Sequence, residues 1–101
     1  MIVVHATFPV DQDRREDAAE LFRNVAKHSR KEDGIIEYRV AADIDDANVF
    51  RFAEQYEDEA AFGAHTETEH FAELEAALLD LLGEEPEVIR FDVENASEVE
   101  L

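Results

Sequence analysis

The chain has 101 residues, 27 Asp and Glu against 9 Lys and Arg, a formal net charge of -18, and no cysteine. That length holds one domain, expected over residues 1–101, with a modest core. The acidic balance argues against nucleic acid or membrane partners, which need a basic patch, and the missing cysteines exclude disulfides, thiolate metal sites and thiol nucleophiles.

In chain order, IVVHATF (2–8) is rich in β-branched and aromatic residues and is closed by Pro9, which predicts a first strand. Asp11 or Asp13 is placed to cap a helix whose apolar positions Ala18, Leu21, Phe22, Val25 and Ala26 recur at three- and four-residue steps; it should end near Ser29 or Lys31, with Gly34 as a stop. GIIEYRVAA (34–42) and NVFRFAEQYE (48–57) predict an antiparallel pair joined by a polar loop over 43–47. From Asp58 the period turns helical, first in a short helix with Ala60, Ala61 and Phe62, then in a longer one with Phe71, Leu74, Leu78, Leu81 and Leu82, stopping at Gly83. Pro86 opens a last strand, VIRFDV (88–93). The order β-α-β-β-α-β, with its second helix split, is the α+β ferredoxin-like arrangement.

A four-stranded sheet with helices on one side leaves its other side bare, and a second copy of the chain is the simplest cover. Period-two alternation sorts Ile2, Val4, Ala6, Phe8, Ile36, Tyr38, Val40, Phe50, Phe52, Tyr56, Ile89, Phe91 and Val93 toward the helices. His5, Thr7, Glu37, Arg39, Arg51, Gln55, Arg90 and Asp92, with Val3, Ile35, Val49 and Val88, would line a homodimer interface. Only Lys27 and Lys31 are lysines, and the scarcity of Lys beside a spread acid excess resembles the proteins of extreme halophiles. The start Met1–His5 has neither a basic region nor a long apolar segment, so a cytoplasmic location is expected.

Reactive groups are few: His5, His28, His65, His70, Tyr38, Tyr56 and the carboxylates. His65 and His70 are five apart, a spacing that does not set two ligands on one helix face as four would, so no zinc site is expected. Glu54 shares the apolar face with Phe50, Phe52 and Tyr56, where desolvation raises a carboxyl pKa toward neutrality.

The segment EQYEDEAAFGAHTETEHF (54–71) resembles the antibiotic biosynthesis monooxygenase (ABM) domain family, in which a strand ending Glu-x-Trp-Glu precedes a short helix carrying Ala-His and then a second His. GIIEYRV (34–40) is similar to the family's Gly-x-x-x-Tyr strand, and the opening MIVVHATFPV also matches. The resemblance implies a dimeric α/β barrel with sheets packed face to face, one pocket per subunit between helices and apolar sheet face, and cofactor-independent oxidation of a small aromatic or quinol substrate by molecular oxygen. Carried over, Glu54 matches the family Glu, Tyr56 stands in place of its Trp, and His65 and His70 match its two histidines. A related haem-degrading branch is less similar, because Ala6, Tyr56 and Leu74 stand where it has Asn, Trp and His. On this reading His65 is the base, Tyr56 bonds or stacks on the ring, and Glu54 orients it. Phe22, Phe52, His70 and Phe71 then bind substrate, and which histidine faces the pocket stays open. The other class of function compatible with the chain is a non-catalytic small-ligand-binding or stress-related dimer on the same fold.

Overall fold

The computed structural model describes all residues, Met1–Leu101. Its strands are β1 (Ile2–Pro9), β2 (Ile35–Ala42), β3 (Val49–Tyr56) and β4 (Glu87–Asp92), and its helices are α1 (Arg15–Ser29), α2 (Glu59–Thr66) and α3 (Glu69–Leu81). A single 3-10 turn, Gln12–Arg14, leads into α1, and the Asp11 carboxylate that accepts from the Asp13 N–H at 2.9 Å caps that turn rather than α1 itself. Acids in the first turn of α1 and Lys27 and His28 in its last complement the helix dipole.

The four strands form one sheet in the order β2-β3-β1-β4, every neighbouring pair antiparallel. This is the expected ferredoxin-like α+β fold. Ile2, Val4, Ala6 and Phe8 of β1 and Phe50, Phe52, Glu54 and Tyr56 of β3 are buried beneath the helices. Phe8, Phe22 of α1, Phe50 and Phe52 meet with ring centroids 5.0 to 5.8 Å apart, mostly edge to face, an arrangement that adds to the burial of large rings. Ala18, Ala19, Val25 and Ala26 of α1 and Leu74 and Leu81 of α3 complete this core.

Two face assignments are corrected. Ile36 is 54 % exposed, because a register shift between Ile35 and Glu37 bulges β2 and brings Ile35, opposite Tyr56, inward in its stead. In β4, Val88 lies opposite Ala6, Arg90 opposite Val4 and Asp92 opposite Ile2, so these three share the helix side while Ile89 and Phe91 lie on the open side. Alternation separates the two faces of a strand without saying which points where, and β4 is an edge strand with little helix above it. Arg90 suits that margin: its guanidinium lies 5.4 Å from the Phe62 ring centroid and bonds Glu59 at 3.0 Å. Arg39 and Arg51 stay on the open side as expected, next to Glu37 and Asp43 respectively.

Gly34 matters to the next section. A methyl group built on it overlaps the Cβ of Ala61, so the approach of the α1–β2 connection to α2 requires a residue without a side chain. That contact brings Glu32, two residues earlier, against the α2–α3 junction.

Candidate functional site

The division between α2 and α3 follows from two caps. Asp58 accepts from the Ala61 N–H at 2.8 Å and starts α2; Thr68 accepts from the Phe71 N–H at 3.2 Å and starts α3. The Thr68 hydroxyl also donates to the His65 carbonyl at 2.7 Å, tying the end of one helix to the start of the next. The resulting bend leaves an apolar cavity of about 260 Å³ between the helices and the sheet. Val4, Ala6, Phe8, Tyr38, Phe52 and Glu54 form its sheet wall; Phe62 and His65 of α2 and Phe71, Leu74 and Leu78 of α3 form its roof, and Pro86 and Val88 border it.

Glu54 is 7 % exposed and burial raises its carboxyl to about 7, although the Tyr56 hydroxyl, which donates to Oε1 at 2.5 Å, pulls in the opposite direction. Tyr56 is fully buried and does not line the cavity; it holds Glu54 from behind. Tyr38, the cross-strand neighbour of Glu54, does line it. Burial first, and the Glu54 charge second, push both phenols far above the ordinary tyrosine value, so both stay protonated donors.

His65 is 1 % exposed, and its imidazole sits 5.3 to 5.5 Å from the rings of Phe71, Tyr38 and Tyr56. Its Nδ1–H donates to Glu32 Oε2 at 2.9 Å. A carboxylate only accepts, which assigns the proton to Nδ1 and leaves Nε2 as an unbonded acceptor on a residue that lines the cavity. Burial lowers the His65 pKa from its ordinary value, with Glu32 resisting.

Of the residues singled out by sequence, the structure gathers Glu54, Phe52, His65 and Phe71 around one space, with Tyr56 directly behind. Phe22 lies in the aromatic core below and does not line the cavity, and His70 stands outside it. The His70 Nε2–H donates to the same Glu32 oxygen at 2.7 Å. Glu32, Tyr38 and Phe62 escaped sequence reasoning as site residues. Tyr38 shares strand parity with Glu54 and could have been found that way, whereas nothing local marks Glu32. The spacing argument against paired histidine ligands assumed one continuous helix. The break at Glu67 and Thr68 removes that assumption, and Glu32, His65 and His70 place ligand atoms within 4.8 Å of one another.

A four-stranded antiparallel sheet roofed on one side by helices, with a carboxyl, an oriented imidazole and aromatic walls around the space between, defines an α+β protein of ferredoxin-like fold with an apolar cavity. Residues 1–77 match the family model described as antibiotic biosynthesis monooxygenase, and the chain belongs to that family. It is similar to the Bacillus subtilis (strain 168) protein named "Putative monooxygenase YcnE", with 32% identity over 93 residues, covering 92% of this chain and 98% of that one. Among solved structures, it resembles PA3566 from Pseudomonas aeruginosa (27% identity, TM-score 0.83, covering 89% of this chain and 90% of that one). Rv0793 from Mycobacterium tuberculosis (22% identity, TM-score 0.89, covering 96% and 98%) shares the fold. No helix is long and apolar enough to cross a membrane.

Proposed function

We propose that this chain, acting over residues 1–101 as a homodimer, is a cofactor-independent monooxygenase that oxidises a small aromatic or quinol substrate with molecular oxygen in the cavity below α2 and α3. The observation that carries this reading is His65, whose Nδ1 is committed to Glu32 while Nε2 has no partner on the wall of an apolar space. An apolar cavity of about 150 Å³ accepts benzene. The space here, about 260 Å³, suits a substituted one- or two-ring molecule.

His65 Nε2 takes the phenolic proton, and the imidazolium formed is stabilised by the Glu32 carboxylate. The electron-rich anion then gives its electrons to oxygen. Over the whole reaction the substrate loses two hydrogens and gains one oxygen atom, the second oxygen atom leaves as water, and all four electrons come from the substrate. Glu54, held by Tyr56 and with its carboxyl pushed up to about 7 by burial, donates in its protonated form to a second oxygen of the ring and sets its orientation. Phe52 and Phe71 wall the ring and exclude water. Glu32 acts through His65 and is a positioning residue.

The support for a homodimer is the open side of the sheet. Val3, Val49, Ile89 and Phe91 lie there, Phe91 edge-on to His5 with centroids 5.2 Å apart, and no element of the chain covers them.

Oxygen uptake with a panel of quinols in molar salt tests the reading. His65→Ala should lower kcat by about 100-fold or more. kcat/KM should rise with pH through the His65 pKa. In Glu32→Gln, loss of the negative charge lowers that pKa, so the rising limb should move to lower pH while kcat falls; a purely structural role for Glu32 would not move the limb. Full turnover in His65→Ala would sink the base assignment, and ligand-dependent stabilisation without any uptake would favour a binding protein.

A further inference from the structure

We propose that Glu32, His65 and His70 form a binding site for one divalent first-row transition metal ion, such as Zn²⁺ or Co²⁺, on the side of His65 away from the cavity. The three side chains come from three elements: the α1–β2 connection, the last turn of α2 and the first turn of α3. Glu32 Oε2, His65 Nδ1 and His70 Nε2 all lie within 4.8 Å of one another. Zinc sets its ligands at about 2.0 to 2.2 Å in a tetrahedral arrangement, so an ion replacing the protons that His65 Nδ1 and His70 Nε2 donate to Glu32 opens those two contacts, 2.9 and 2.7 Å now, to about 3.4 Å.

The donor set is built rather than accidental. The His65, His70 and Glu32 side chains are 2%, 14% and 17% exposed, so their rotamers are already held by packing. Gly34 against Ala61 positions the strand end near Glu32, and Thr68 bridges the two histidine-bearing helices. Two imidazoles and one carboxylate match the preference of zinc, cobalt and iron(II), and leave coordination positions for water. A formal charge of -18 on the chain favours a cation at any site it offers.

Binding has a chemical consequence for the cavity. A metal ion on Nδ1 takes the lone pair there and leaves the ring proton on Nε2, the atom that must be bare to accept a phenolic proton. The ion would therefore act as an off-switch, with no part in turnover. This consequence rests on the base role of His65; the site itself does not.

The test titrates chelator-treated full-length protein with Co²⁺ in molar NaCl with excess Mg²⁺, which occupies the surface carboxylates. One equivalent should give visible d–d absorption. Glu32→Gln and His70→Gln should each weaken it by at least about tenfold, since even residues that only support ligands cost 10- to 100-fold. His5→Ala, altered on the opposite side of the sheet, should retain it. In the unaltered chain, Zn²⁺ should shift the side-chain ¹⁵N signals of His65 and His70 and leave that of His5, which keeps the test independent of any variant's folding. No band, or equal binding by His70→Gln, overturns the site and leaves the base role standing. Binding at these residues with turnover unchanged overturns the base role and leaves the site standing.

Discussion

Glu54 and His65 show how one apolar environment displaces two titratable groups in opposite directions, each toward its neutral form. For Glu54 the folded value, about 7, lies above the unfolded one near 4.5, so the folded state binds the extra proton between them. Its contribution to stability is therefore highest below about pH 4.5 and declines as pH rises through 7, by on the order of 3 kcal/mol in all. Glu54→Gln should flatten this decline: urea midpoints of the variant and the parent should converge at pH 5 and separate in the variant's favour at pH 8. Equal slopes in both proteins would mean that the Glu54 carboxyl is solvated. His65 contributes the opposite sign, since a depressed histidine value costs stability only as pH falls below the ordinary histidine range.

At the scale of elements, the break between α2 and α3 decides what the site contains. A continuous helix would separate His65 and His70 around its circumference, because five residues correspond to more than a full turn. Thr68 makes the break stable by capping α3 and holding the His65 carbonyl. Thr68→Ala should cost about 1 kcal/mol of unfolding free energy, the ordinary loss of an N-cap, and should also broaden the His65 and His70 side-chain NMR signals as the junction loosens. A loss of stability with those signals unchanged would show that Glu32 alone maintains the geometry. The same scale explains β4: an edge strand margined by Arg90 over Phe62 leaves Ile89 and Phe91 for the open side.

Across the whole molecule, charge and the open sheet side act together. Most of the 27 acids are solvent-facing, and a second copy doubles the charge carried by one particle. Screening by molar salt, with a Debye length of about 3 Å, should raise Tm by on the order of 10 °C relative to 0.1 M salt. Small-angle scattering at high salt should report twice the mass of one chain, and Phe91→Glu, which places a carboxylate among Val3, His5 and Ile89, should report one. A dimer that survives Phe91→Glu would place the interface elsewhere.

The amino-acid sequence by itself determined the element order, the helix-facing sides of β1 and β3 and the split second helix, because period and capping chemistry are local properties, whereas a shared pocket for Glu54, Phe52, His65 and Phe71 came only from the family resemblance. It also carried the resemblance that the family match bears out. Tertiary structure alone decided the bulge that turns Ile36 outward, the facing of β4, and the removal of Phe22 and His70 from the cavity wall. It alone joined Glu32 to two histidines 33 and 38 residues away. Those outcomes depend on register against a distant strand and on the close approach of Gly34 to Ala61, and contacts between remote segments leave no periodic trace in either one.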